Sequence, residues 1–487
     1  MILTAWAVGA VFIFLRSLPF LLFPEIHFDA DQATIGLMAL RLAHLEDFPI
    51  FMYGQKYMMA PTAYLAAPIF VVTGASIAVL KSIELLFNLA TLALLLRQLV
   101  RDAGLTPWQA LAASSWLVLP SVVTGTRLVE STGGNIQPFF WILLLWELRQ
   151  KGALLGVVIA FGVLNRELTL FGVTALLVVE LAFERQLSRA YLVRRARTLA
   201  AYVVINTVFV ELARRSVDYR GTRPWLEPPT LESAARNLVF LVENLLPALL
   251  GVAPGELRHT GIRADGPSGT PGMAGVMYLL LALGGCLLAG LTLRRLRGGV
   301  PALASCGHAL YLVGAGVQSM LAFVLVLPWA PDGGMVRFIL LALLLLVGIT
   351  ELVMQDLPRA RAVVSAVCVV AAVLQLGTHV TFWREAYTHP PAPHFQPVVD
   401  ELKRQGIHHA LSDYWTAYPI SFLSNEEIRV ATSTRPARIR AYQQGYRDHL
   451  AEAVDIQPEP CAEGLERFVV GELHVCRATD PERAIWK

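Results

Sequence analysis

ILTAWAVGAVFIFLRSLPFLLF, residues 2–23, decides the fold class, because Arg16 is its only charged residue and about 20 apolar residues are what a helix needs to cross a bilayer. The stretch has no basic segment before it and no small-residue cleavage site before Pro24-Glu25, so it reads as a retained first span rather than a removable leader. The rest of the chain agrees. Of its 487 residues, 55% are hydrophobic and 16% are charged, against roughly 25% charged in soluble domains. That composition excludes a simple soluble enzyme and points to a mostly helical protein whose solvent is lipid. Forty Lys and Arg against 37 Asp and Glu leave a net charge of +3, too balanced for a nucleic-acid footprint, so nucleic acid is not an expected partner and membrane lipids are.

Working outward, apolar runs suited to spanning fall at 2–23, 76–99, 106–122, 135–150, 152–165, 167–184, 198–214, 273–294, 300–328, 337–356 and 360–381. The expected fold is therefore an all-α polytopic membrane domain of about eleven transmembrane helices over 1–381, with tilted or broken helices where runs are short. Basic residues set its orientation. Arg97/Arg101, Arg149/Lys151, Arg185/Arg189/Arg194/Arg195/Arg197, Arg294/Arg295/Arg297 and Arg359/Arg361 all fall on one side, which the positive-inside rule makes cytoplasmic. The N-terminus is then cytoplasmic and the C-terminus external, as in a multi-pass protein of a bacterial inner membrane.

Three external regions are too long to be connectors: 24–74, 215–272 and the tail 382–487. In the first, Ile35, Met38, Leu42 and Leu45 recur at helical spacing within Gln32–Phe48, which suits a helix lying in the interface. In the second, Thr230 is placed to cap a helix reaching about Leu250. The tail has ordinary soluble composition, with a helical pattern at Val398–Gln405 and strand-like pieces at Ile428–Thr432, Phe468–Val470 and Leu473–Val475. It is expected to be a small periplasmic α/β appendage, in which Cys461 and Cys476 can pair.

The cluster His27-Phe28-Asp29-Ala30-Asp31-Gln32 follows the first span directly. A carboxylate there could take a proton from an attacking hydroxyl, or two could hold a divalent cation against a phosphate. Equally, Asp29 with Gln32 resembles a capping box, and either Asp could cap the helix that follows. Spacing alone leaves these readings open, and a divalent metal is only weakly supported; no other cofactor is implied.

Asp31-Gln-Ala-Thr-Ile-Gly-Leu-Met-Ala-Leu-Arg-Leu, then Phe48-Pro, Tyr53-Gly54-Gln55-Lys56-Tyr57 and Ala63-Tyr64-Leu-Ala-Ala-Pro, resembles the first external loop of bacterial GT-C membrane glycosyltransferases. These are similar to the dolichyl-phosphate-mannose protein mannosyltransferases and the lipid A aminoarabinose transferases. In the tail, Ser412-Asp413-Tyr414-Trp415-Thr416-Ala417-Tyr418-Pro419 resembles a segment of one bacterial branch. The resemblance implies an inverting transferase whose donor is a sugar on polyprenyl phosphate, whose acceptor is an external lipid, glycan or protein, and whose general base is Asp31. The chain departs from the family where Gln32 replaces an acidic residue, where Thr62 stands for another, and at Gly133-Gly134-Asn135-Ile136-Gln137, where relatives carry a glutamate-bearing segment.

Cations for the phosphate should sit on the same external side. Arg337, which opens a span and matches an arginine of the relatives, leads, followed by Lys56, Arg127 and Arg166. Asn165-Arg166-Glu167 lies between two short apolar runs and reads either as a structural ion pair or as a site wall. Glu130, Tyr53 and Gln55 are the candidates for sugar hydroxyls and Asp29 is a further substrate-binding candidate, while Asp413-Tyr414-Trp415 reads as a cover for the site, as an acceptor-recognition element or as tail core. No Walker A loop, Gly-x-Gly-x-x-Gly, Gly-x-Ser-x-Gly or His-Glu-x-x-His motif is present, so nucleotide-driven pumping is unsupported. A transporter or flippase for a lipid-linked saccharide, and an inactive binding scaffold, are the rival readings.

Overall fold

The computed structural model describes residues 1–55, 57–132, 134–183, 187–214, 230–251, 305–326 and 333–484. Lys56, the predicted span 273–294 and most of the loop 215–272 lie outside them. The first half of the chain forms α1 (Ile2–Leu22), α2 (Ala30–Ala43), α3 (Pro61–Thr73), α4 (Ile77–Asp102), α5 (Pro107–Ala113), α6 (Ser115–Val118), α7 (Val122–Arg127), α8 (Gln137–Glu147), α9 (Ala153–Asn165), α10 (Thr169–Val178), α11 (Arg189–Ala213), α12 (Leu231–Phe240) and α13 (Leu246–Leu250). There follow α14 (Gly307–Val326), α15 (Ala342–Asp356) and α16 (Arg361–Thr388).

Seven helical segments among the described residues are long and apolar enough to cross a membrane, and three shorter apolar helices lie beside them. This is a multi-pass membrane protein. The largest core joins α4, α8, α14 and α15 through residues such as Leu95, Phe139, Leu143, Tyr311, Leu343 and Val347. The run 106–122 is not one span: it breaks at Ser114, which ends α5 and begins α6, and its last residues open α7 behind Ser121, whose hydroxyl accepts from Thr124 N–H at 3.2 Å. Thr230 does cap the helix beginning at Leu231, accepting from Ser233 N–H at 3.1 Å.

Two expectations for the first loop change. The helix starts earlier and ends sooner than 32–48, and it does not lie bare on the interface, because eleven of the fourteen residues of α2 are buried. What covers it is the C-terminal segment, which forms α17 (Gln396–Arg404), α18 (Tyr414–Leu423), α19 (Arg440–Asp448) and a five-stranded sheet. Its strands are β1 (His409–Ser412), β2 (Arg429–Thr432), β3 (Val454–Gln457), β4 (Glu466–Val470) and β5 (Leu473–Arg477), in the order β2-β1-β3-β5-β4. β1 is parallel to β2 and β3, while β5 runs antiparallel to β3 and β4. Val398, Leu402, Ile420, Val430, Val454 and Val475 form its core, and Cys461 is bonded to Cys476.

α18 lies on α2 through Phe422, which also meets Phe28 and Phe70. Gly36 permits this closeness, since a Cβ there would come within 2.5 Å of the Phe422 ring. Beside it, the Arg41 guanidinium clasps the Glu426 carboxylate at 2.7 and 3.1 Å. α1 starts at one face of the bundle and delivers the chain to this contact after 21 residues, about 32 Å at 1.5 Å per residue.

Candidate active site

Asp29 begins the site by ending the first loop. Its backbone is extended, and its carboxylate accepts the Gln32 N–H at 2.9 Å, so it is the N-cap of α2. The capping alternative thus belongs to Asp29, which leaves Asp31, in the first turn, free of that duty. Gln32 is spent locally: its amide nitrogen donates to the His27 carbonyl, and its oxygen accepts Ser131 N–H at 3.2 Å and the Ser131 hydroxyl at 3.3 Å. An amide can do both; an acidic residue at 32 could not donate.

Asp31 is held from the far end of the chain. Tyr414, the first residue of α18 behind its N-cap Asp413, donates its hydroxyl to Asp31 Oδ1 at 2.5 Å. Arg438 donates Nη2 to the same oxygen at 3.0 Å and Nε to the Tyr414 hydroxyl at 3.1 Å, while Nη1 reaches the Tyr53 carbonyl at 3.4 Å. The Arg438 backbone N–H is fixed by the Tyr418 hydroxyl at 2.5 Å. Both donors converge on Oδ1; among the described residues Oδ2 accepts no hydrogen bond, and the Asp31 side chain keeps 20% of its exposure against 7% for Arg438.

Two carboxyls two residues apart are driven in opposite directions. Burial would raise the Asp31 pKa, but Arg438, the Tyr414 hydroxyl, Arg337 and Arg166 outweigh it and hold Asp31 below the usual carboxylate range. Burial pushes Asp29 up to about 7, reinforced by the negative charges of Asp31 and Glu130. Burial beside the Asp31 charge also raises the Tyr414 phenol well above its ordinary value, so it stays a donor. Asp31 is therefore the more acidic of the two.

Arg166 and Arg337 reach this point by different routes. Arg166 ends α9, and its guanidinium lies against Gly134, where any Cβ would collide with it. Its Nε is buried and has no hydrogen-bond partner among the described residues. Arg337 sits in the 3-10 turn Gly333–Ile339 ahead of α15, against the ring of Phe338. Asp31 feels the field of both, and they feel each other. Among the described residues neither makes a salt bridge. Glu167 and Tyr57 complete this side: the Tyr57 phenol senses Glu167, Arg166, Arg438 and Asp31.

The remaining candidates are placed differently. Arg127 pairs with Glu130 Oε1 at 2.5 Å, His27 approaches the same oxygen at 3.8 Å, and Glu130 Oε2 accepts from Asn135 at 2.7 Å. This cluster sits behind Asp29 rather than on Asp31. The Tyr53 ring is buried against Arg41, so that residue meets Arg438 through its carbonyl alone. Gln55 lies in the turn where its N–H reaches the Met52 carbonyl at 3.0 Å, next to Gly54, whose φ of +70° lets the loop pass close to the Arg438 backbone. Lys56 is outside the described residues.

Two of the departures, Thr62 and Gln137, converge on one carboxylate. Glu84 of α4, fully buried, accepts from the Thr62 hydroxyl at 2.6 Å and from the Gln137 amide at 2.9 Å. Gln137 in turn accepts from Asn165 at 2.9 Å, the residue before Arg166. Sequence reading missed Glu84 and its neighbour Lys81, whose ammonium donates to the Ile26 carbonyl at 2.5 Å. The signal was present, because charged residues within an apolar span are rare and costly. Arg438 had no such signal. Among the described residues no three His, Cys, Asp or Glu side chains gather as metal ligands.

The fold, a transmembrane bundle with a C-terminal unit packed on the loop after its first span, is similar to that of solved membrane glycosyltransferases. The solved structures it resembles include ArnT from Cupriavidus metallidurans bound to undecaprenyl phosphate, at 11% identity over 100% of this chain and 99% of that one, with a TM-score of 0.57. The apo ArnT gives 10% identity, coverage of 99% and 100%, and 0.56. The oligosaccharyltransferase AglB from Archaeoglobus fulgidus, in complex with an inhibitory peptide and a dolichol-phosphate, gives 12% identity over 94% of this chain and 69% of that one, with 0.51. By sequence, no family model and no curated protein matches the chain.

Proposed function

We propose that this chain is an inverting glycosyltransferase that moves a sugar from a polyprenyl-phosphate donor to an external lipid, glycan or protein acceptor, with Asp31 as general base. The observation that carries the proposal is the arrangement around Asp31: an ionised carboxylate with one oxygen fixed and the other open, in the field of two guanidinium groups that pair with nothing else described. ArnT and AglB carry polyprenyl or dolichol phosphate in the solved structures, which supports a lipid phosphate as the partner here.

The reaction follows from this geometry. An acceptor hydroxyl attacks the anomeric carbon; Asp31 Oδ2 takes its proton; the bond from that carbon to the phosphate oxygen breaks; and the polyprenyl phosphate leaves with the electron pair. Arg166 and Arg337 offset the charge that grows on the phosphate, a charge-assisted contact worth about 1.5–3 kcal/mol each. Arg438 and Tyr414 are positioning residues. They hold Oδ1 so that Oδ2 has one direction, and they keep Asp31 deprotonated at the cost of some basicity.

Attack from the face opposite the phosphate inverts the anomeric centre. Purified protein incubated with radiolabelled polyprenyl-phosphate sugars and cell-envelope acceptors should yield a glycosylated product of inverted configuration. Relocation of intact donor across a vesicle membrane, or binding without product, would assign the chain to the flippase or scaffold readings instead.

A further inference from the structure

The opposite end of the bundle holds a second concentration of charge. α9 runs 13 residues, about 20 Å, from Ala153 to Asn165 beside Arg166, so the turn before it lies on the face away from Asp31. There a cavity of about 830 Å³ opens between this turn and the start of α11, lined by Lys151, Arg189, Arg194 and Arg197 together with Ala190 and Val193. Among the described residues no acidic side chain lines it.

Basic residues are expected at this face from topology alone, which calls for no ligand. The charge inventory separates the cavity from that expectation. Arg97 and Arg101 are neutralised by Glu147 and Asp102, and Arg195 by Glu180. Glu180 is consumed there, since it also accepts the Tyr191 hydroxyl at 3.2 Å. Lys151, Arg189 and Arg197 have no such partner among the described residues. The walls are also built rather than loose. Thr198 donates to the Gly152 carbonyl at 2.9 Å, Gly156 packs against the α11 backbone, and the buried Tyr191 ring sits under the Arg194 and Arg195 guanidinium groups at 5.6 and 5.3 Å.

The cavity continues into an apolar surface. α11 buries only Tyr191, Thr198 and Ala213, and Leu154, Leu192, Leu199 and Val203 are exposed along it and α9. We infer that this cavity binds the phosphate headgroup of an anionic lipid of the surrounding bilayer, with the acyl chains along α11. The inference does not depend on the transferase reading.

The full-length protein in detergent, titrated by native mass spectrometry with phosphatidylglycerol and separately with phosphatidylcholine, tests it. The anionic lipid should bind more tightly, and the Lys151→Gln, Arg189→Gln, Arg197→Gln triple variant should weaken that binding by about tenfold or more. Arg189→Lys with Arg197→Lys should retain it. Should the triple variant not fold, single Lys151→Gln and Arg197→Gln should each weaken binding by several-fold. Equal binding of the two lipids, or undiminished phosphatidylglycerol binding by the glutamine variants, would overturn the site. Displacement of the lipid by inorganic phosphate at equal concentration would overturn the lipid assignment in favour of a free anion.

Discussion

The surroundings of Asp29 and of Asp31 differ more than their two-residue separation suggests. Asp29 faces helix backbone, Glu130 and Asp31, and its carboxyl is driven up to about 7; Asp31 faces Tyr414, Arg438, Arg166 and Arg337, and is held down. The cap of Asp29 is built within the helix start itself, whereas the hydrogen bonds of Asp31 come from residues 383 and 407 positions away. Sequence adjacency supplies the cap, whereas long-range packing supplies the groups that keep Asp31 charged.

The sharpest way to break this contrast is to make Asp31 neutral. Asp31→Asn should lower the transfer rate by about 10²–10⁴-fold while leaving membrane insertion and thermal stability near wild type. Removing Arg337 or Arg166 as alanine should cost roughly 10–100-fold in kcat/KM, with each effect falling on donors that carry the phosphate. Arg438→Gln should give a smaller loss of rate with a distinctive pH signature. Arg438 stabilises the Asp31 anion, so its removal raises that pKa and moves the acid limb of the kcat/KM profile to higher pH; an unmoved limb would make Arg438 merely structural.

Asp29 should show the smallest effect on turnover. Asp29→Asn keeps a cap acceptor and is expected to leave the rate within a few-fold of wild type, whereas Asp29→Ala should lose about 1 kcal/mol of stability. Its pKa is raised on folding, so the folded state binds the extra proton more tightly. Its stabilising effect is present below the unfolded value of about 4 and is lost as pH rises toward about 7. Thermal unfolding followed across that window should flatten in Asp29→Asn.

Much of this was legible in the sequence because local pattern carried it. The first span, the helix capped at Thr230 and the strands near 429–432, 466–470 and 473–477 all rest on hydropathy or capping residues, and the resemblance that singled out Asp31 also pointed to Arg166 and Arg337, whose fields Asp31 feels. What failed needed tertiary information. The polar face of α2 reads as solvent-facing until Glu426 is seen on Arg41, and Arg438 is one arginine among several between Arg435 and Arg440 until the fold lays it on Asp31. Arg127 and Glu130, three residues apart in a short helix and its exit, satisfy each other, which residue type alone could not reveal.

Structure determination of the protein with a polyprenyl phosphate bound tests the central claim most directly. Phosphate oxygens are expected on Arg166 and Arg337, with Asp31 Oδ2 facing the space beside the phosphate where an anomeric carbon would lie. A phosphate lodged away from both arginines, or one bound there while Asp31 points elsewhere, would contradict it.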